Sequence, residues 1–261
     1  MAMTNVPDIE VTPVTVDQMK EPNAIVAGVL RLLKERLEPG IDTLELDRLA
    51  EEYIRDHGAR PAFKGYQGYP NTITASVNDQ IVHGIPDEDQ IIESGDIVSL
   101  DVGAFKRNCY GDSALTVIAG ESTSASSEKL LDVTYDALCK GIERVQVGNR
   151  LGEVGQAIQD HVQPHGFGIV RDWAGHFIGH EMHLEPRVPN YGPADRGPTL
   201  QEGMFLAIEP MINLGTYETR VLEDDWTVVT TDGSLSAHFE HTVAVTEDGP
   251  RVLSRREDEV F

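Results

Sequence analysis

Four acidic residues lie in runs where acids are out of place. Asp101 falls inside Ile97-Val98-Ser99-Leu100-Asp101-Val102-Gly103, and Asp112 inside Gly111-Asp112-Ser113-Ala114-Leu115. Glu209 sits in Met204-Phe205-Leu206-Ala207-Ile208-Glu209-Pro210, and Glu240 in Phe239-Glu240-His241-Thr242-Val243-Ala244-Val245. Such runs read as buried strands, in which carboxylates are depleted and rarely buried without a partner. A hairpin folded about Lys106-Arg107 predicts Asp101 directly opposite Asp112, with Cβ atoms roughly 4.5–5.5 Å apart. Two ionised carboxylates at that spacing repel, so one takes up a proton or a cation lies between them. One such acid alone is more often a cap or a solvent-facing side chain. Four at strand positions favour a convergent cluster. Carboxylate oxygens suit divalent cations, and four carboxylates balance two of them. Two ions roughly 3.5–4 Å apart can ionise a water and clamp a substrate oxygen.

Of nine histidines, three stand out by context. His83 lies in Val82-His83-Gly84-Ile85-Pro86, a loop that Gly and Pro stiffen. His176 lies in Gly175-His176-Phe177-Ile178-Gly179, and His183 in Met182-His183-Leu184-Glu185-Pro186. The stretch His180-Glu181-Met182-His183 is one residue short of the HExxH spacing that sets two zinc ligands on one helix face, and it carries no weight as such a site.

The elements that must position these groups alternate between helical and extended patterns. Apolar residues from Ile25 to Leu37 predict a helix stopped at Pro39-Gly40. Thr43 is expected to cap a second helix ending near His57-Gly58. Val, Ile and Thr runs broken by Gly and Pro predict strands from Thr72 to Gly120. A helix through Leu130 to Ile142 and another over Leu151 to Val162 follow, and strands resume from Ile169. An offset of 108 residues superposes Gly40 on Gly148, Glu45 on Glu153 and His57-Gly58 on His165-Gly166. It also carries Asp101 onto Glu209. The expectation is one α/β (α+β) domain over 16–261 built of two related halves, 16–123 and 124–261, with an N-terminal extension at 1–15.

The 261 residues carry 21 basic against 44 acidic side chains, a net charge of −23. That excess argues against nucleic acid and against anionic membrane as partners. No run approaches the length of a membrane span. Two cysteines, Cys109 and Cys139, cannot build a disulfide scaffold, which points to the cytoplasm.

The chemistry-bearing segments come in a specific order. Gly65-Tyr66-Gln67-Gly68-Tyr69-Pro70, Ser76-Val77-Asn78 and His83-Gly84-Ile85-Pro86-Asp87 precede Asp101 and Gly111-Asp112. Gly175-His176, His183, Glu185-Pro186, Ile208-Glu209-Pro210 and Glu240-His241-Thr242 follow. From about Val16 onward the chain resembles the type I methionine aminopeptidases, metallopeptidases of the pita-bread fold. The resemblance implies two pseudo-symmetric halves with an antiparallel sheet flanked by helices. It implies two divalent ions (cobalt, manganese, iron or zinc) on Asp101, Asp112, His176, Glu209 and Glu240, with Asp112 and Glu240 bridging. It further implies a hydroxide held by both ions, Glu209 as proton shuttle, His183 on the oxyanion and His83 on the substrate. Tyr66, Tyr69 and Trp226 match positions that line the methionine pocket. The expected activity is removal of methionine from nascent polypeptides by a monomer.

The pocket departs from the family pattern at four places. Phe63 and Thr74 stand where bacterial members often have Cys, and Met182 replaces a Phe. Phe177 replaces Gly beside His176, where its bulk is expected to narrow the cleft or press on the ligand. The alternatives are an Xaa-Pro or altered-specificity peptidase of the same fold, or a binding module without catalysis. The intact five-ligand set favours an enzyme.

Overall fold

Thr15 starts the first helix, Val16–Arg36, by a capping box in which its hydroxyl accepts from Gln18 N and Gln18 Oε1 accepts from Thr15 N. Such a cap contributes about 1 kcal/mol. The computed structural model describes residues 14–122, 124–257 and 259, so the extension expected at 1–15 lies almost wholly outside the described residues. Three further helices follow, Thr43–Asp56, Ala125–Ile142 and Leu151–Val162. Asp42, not Thr43, caps the second: its carboxylate accepts from Glu45 N at 2.7 Å. The Thr43 hydroxyl instead binds both the N–H and the carbonyl of Asp87. No described helix is long and apolar enough to cross a membrane, and Cys109 and Cys139 are both free thiols.

The main sheet has nine antiparallel strands. Its path runs Arg60–Pro61, Ile97–Lys106, Cys109–Ile118, Glu240–Thr246, Phe205–Ile208, Gly175–Phe177 and Leu184–Val188. Ile73–Val77 also pairs with the 97–106 strand, and Gly249–Val252 with the 240–246 strand. Segments from before residue 123 and after residue 124 therefore meet where Glu240 pairs with Ala114.

Strand alternation sorts the side chains into two faces. On one face Ile73, Ala75, Val98, Leu100, Val102, Leu115, Leu206, Ile208, Val243 and Val245 join the helices in a single core. The helix Val16–Arg36 supplies Val26, Val29, Leu30 and Leu33, all fully buried. Truncating any of these leucines to Ala removes about 2–5 kcal/mol. The other face carries Thr74, Asp101, Asp112, His176 and Glu240. Gly111 marks where helix and sheet touch most closely, because a Cβ there would lie 2.6 Å from Pro22 C and 2.7 Å from Asn23 N.

The hairpin register differs from the expected one. Asp101 pairs with Ala114, and Asp112 pairs with Gly103. The turn is Arg107-Asn108, with φ of 53° and 61°, so it is centred one residue later than expected. A two-residue turn that follows the strand twist needs positive φ at both positions, which Asn tolerates well. Because the partner shifts by two, Asp101 and Asp112 stay on one face as diagonal neighbours.

Phe177 is also placed differently. It registers with Leu206, whereas His176 registers with Ala207. Phe177 therefore enters the main core and does not line the cleft. Its bulk sits on the face opposite its ligand-type neighbour.

Candidate metal centre

Five strands deliver the site. Asp101 and Asp112 project from the hairpin, Glu240 opens its strand, His176 is central in Gly175–Phe177, and Glu209 directly follows Phe205–Ile208. Odd positions 205, 207 and 209 share the face of Glu240, so the alternation that buries Leu206 and Ile208 turns Glu209 toward the others.

Asp112, His176 and Glu240 each bring a ligand-type atom within 4.8 Å of the other two. His176 Nε2 lies 3.8 Å from Asp112 Oδ2 and 3.9 Å from Glu209 Oε1. The His176 Nδ1–H has the carbonyl of Phe177 as acceptor at 3.0 Å, which leaves the Nε2 lone pair facing the carboxylates. Asp101 Oδ1, Asp112 Oδ1 and Glu240 Oε1 are buried without a hydrogen-bond partner. Buried polar atoms are nearly always paired, and unpaired carboxylate oxygens on residues gathered beside the His176 imidazole fit a divalent cation. Carboxylate and imidazole donors suit first-row divalent ions, and manganese, iron, cobalt and zinc all accept them.

The electrostatics agree. Burial pushes Asp101 up to about 7, with the contact to Asp112 opposing. Burial and then the charge of Asp101 push Glu209 up to about 8. Asp112 and Glu240 are raised well above the usual range, first by burial and then by neighbouring carboxylates. Burial lowers His176 to about 3, and burial followed by His183 lowers His83 to about 4. Without a cation, burial and mutual repulsion favour the protonated form of the acids, and burial favours the neutral form of the histidines. A cation reverses the preference of the acids.

The cluster floors a cleft of about 740 Å³. At one end Phe63, Tyr69 and Met182 are buried together, with Tyr66 and Trp226 packed against them. Tyr69 and Trp226 meet edge to face at 5.0 Å, while the Tyr69 hydroxyl contacts the carbonyls of Ile73 and Gly84. Thr74 lines the same cleft. His183 Nδ1 lies 2.9 Å from the Tyr66 hydroxyl, and its ring stands 4.3 Å from that of His176. His83 adopts φ of 61° and packs edge-on to Trp173 at 4.8 Å. The structure thus brings together all ten residues singled out in the sequence.

Two features escaped that reasoning. His238 lies behind Glu209, 1 % exposed, with its Nε2 unpaired and 3.7 Å from Glu209 Oε2. Counting back two from Glu240 along an alternating strand would have found it. The second is a buried brace on the opposite face. His241 Nδ1 meets Ser254 Oγ at 2.9 Å and its Nε2 meets Glu259 Oε1 at 3.1 Å. Arg256 pairs with Glu259 and reaches Ser113 Oγ at 3.4 Å. Ser113 and His241 are the sequence neighbours of Asp112 and Glu240.

Residues 17–247 match metallopeptidase family M24. A methionine aminopeptidase of Clostridium acetobutylicum is 46% identical over 239 residues, covering 92% of this chain and 95% of that one. The crystal structure of a methionine aminopeptidase from Thermotoga maritima superposes with a TM-score of 0.92 at 42% identity, over 95% of this chain and 100% of that one. A Xaa-Pro dipeptidase from Bacillus anthracis superposes at 0.75 with 22% identity, over 94% of this chain and 61% of that one, a likeness of fold alone. With the pita-bread architecture, the clustered acids and histidine and these similarities in hand, the chain belongs to metallopeptidase family M24 and, within it, to the methionine aminopeptidases.

Proposed function

We propose that the protein removes methionine from the amino end of new polypeptides by metal-dependent hydrolysis. The observation that carries this reading is the set of orphaned, buried carboxylates at the floor of a cleft whose far end is aromatic. Asp112 and Glu240 would hold two divalent ions between them, Asp101 would complete one site, and His176 with Glu209 the other. When bound, the ions supply Lewis-acid activation of a water and of the scissile carbonyl.

The chain's own groups do the rest. Glu209 takes the proton of the attacking water and returns it to the leaving amine. The Tyr66 hydroxyl donates to His183 Nδ1, which fixes the tautomer with Nε2–H free. That N–H stabilises the carbonyl oxygen as charge grows on it. His83, held neutral by burial, hydrogen-bonds the peptide next to the scissile amide. Phe63, Tyr66, Tyr69, Met182 and Trp226 receive the first side chain, where a thioether gains from sulfur–ring contacts. The His83–Trp173 pair crowds the next position and favours a small second residue. All these groups come from one chain, and the reading is of a cytoplasmic monomer with two ions.

The test is release of free methionine from a Met-Ala-Ser peptide by protein loaded with manganese or cobalt. Release should vanish with a chelator and with Asp112→Asn. Full release after either treatment rules the mechanism out. Preference for proline in the second position would point instead to the Xaa-Pro peptidases.

A further inference from the structure

Glu209 is flanked by two imidazoles. His176 Nε2 stands 3.9 Å from Oε1 on one side, and His238 Nε2 stands 3.7 Å from Oε2 on the other. Only His176 lies on the exposed face of the cluster and lines the cleft. His238 ends the strand Ser236–His238, outside the cleft lining and behind the carboxylate.

Its backbone is held on both sides by one hydroxyl. His238 N donates to Thr116 Oγ1 at 2.8 Å, and Thr116 Oγ1 donates to His238 O at 2.7 Å. The strand also registers His238 against Met211, two residues beyond Glu209. Phe239 interrupts the strand between His238 and Glu240, and both of these flanking side chains turn toward the acids. The backbone of His238 is thus fixed in place, yet its Nε2 has no hydrogen-bond partner. A buried nitrogen left unpaired is unfavourable. Oε2 of Glu209, 3.7 Å away, is placed to relieve it.

A carboxylate that serves an ion and a water must present one oxygen to each in a fixed order. With nothing behind it, Glu209 can rotate about its terminal torsion, which is broad for this side chain. A donor on Oε2 removes that freedom and leaves Oε1 directed at His176 and Asp112. Resting on the functional reading above, we propose that His238 is a positioning residue whose Nε2–H orients the Glu209 carboxylate. No residue singled out in the sequence fills this role.

The experiment compares His238→Gln, which keeps an N–H donor at similar reach, with His238→Leu, which keeps bulk alone. The readout is calorimetric titration of the chelated proteins with manganese, and the absorption spectrum of the cobalt-loaded ones. Removing a group that orients a ligand weakens ion binding about 10–100-fold, and this is expected of His238→Leu. His238→Gln should stay within about fivefold of the parent, with an unchanged cobalt spectrum. In a Glu209→Gln background, His238→Leu should weaken binding no further, because its effect passes through that carboxylate. Circular dichroism shows which variants are folded, and His238→Met, which also lacks a donor, takes the place of Leu with the same expected loss if Leu fails to fold.

Three results overturn the proposal. They are parent-like binding in folded His238→Leu, full additivity with Glu209→Gln, and a cobalt spectrum altered in His238→Gln, which would make His238 itself a ligand. None of these needs turnover. A protein that shows the coupling and releases no methionine would sink the functional reading and leave this proposal standing.

Discussion

Removing the ions from this protein should make it lose stability as pH rises, against the usual behaviour of paired carboxylates. Glu209 is raised from 4.5 to about 8 and Asp101 from 3.8 to about 7. A raised carboxyl is protonated in the folded chain while the unfolded chain has already released its proton. Its contribution is intact below the unfolded value and is lost as pH climbs through the folded one, here between about 4 and 8. A tenfold change in acidity corresponds to about 1.4 kcal/mol, so Glu209 and Asp101 forfeit at most about 5 and 4 kcal/mol. Within the window the two together lose about 3 kcal/mol per pH unit. Glu209 keeps 16% of its side chain exposed to the cleft, and halving the figure for water gives about 1–2 kcal/mol per pH unit. For a chain of this size that is a fall of roughly 2–4 °C in Tm per pH unit. The assay is differential scanning calorimetry of chelated protein from pH 5 to 7. Glu209→Gln separates this effect from general repulsion among surface acids, because the amide should flatten the slope and raise Tm at pH 7. Saturating manganese should abolish the fall, since bound ions hold the carboxylates ionised. A chelated Tm that is flat or rises over this range, or a slope untouched by Glu209→Gln, refutes the reasoning.

Other expectations follow from single contacts. Trp226→Ala removes the wall that meets Tyr69 edge-on at 5.0 Å; KM for a Met-Ala-Ser peptide should rise about tenfold, about 1.4 kcal/mol, with ion binding unchanged by calorimetry. Arg256→Met strands the buried Glu259, which should lose about 3–5 kcal/mol in urea unfolding, whereas replacing both partners with apolar residues should recover most of it. Gly111→Ala forces a Cβ against the backbone of Pro22 and Asn23, and overpacking there should lower the unfolding free energy measured in urea by about 1–3 kcal/mol.

The four strand acids were legible because charge inside an apolar run is a contradiction that only a partner resolves. Helix ends at Arg36 and Asp56 and the span Leu151–Val162 followed from caps and Gly/Pro stops. The hairpin turn was placed one residue early, which shifts each pairing partner by two, because an Arg-Asn turn gives a weaker signal than Asn-Gly. Phe177 was expected in the cleft from its nearness in sequence to His176. Adjacent strand residues face opposite ways, and Leu206 claims it for the core. His238 was overlooked although it stands two residues before Glu240, because that spacing does not name its partner. Its meaning comes from Glu209, on a strand brought beside it only by the fold. The brace of Arg256 and Glu259 had no signal either, since charged residues near a chain end usually read as solvated.

That brace has a temporal side. Synthesis runs from the amino end, and Ser254, Arg256 and Glu259 lie downstream of every residue that faces the cleft. A growing chain holds Asp101 through Glu240 before it holds the segment that locks Ser113 and His241 from behind. The ribosome's exit tunnel holds that segment back further still. A protein that trims newborn polypeptides therefore braces its own site late, after the groups that line the cleft have all been made.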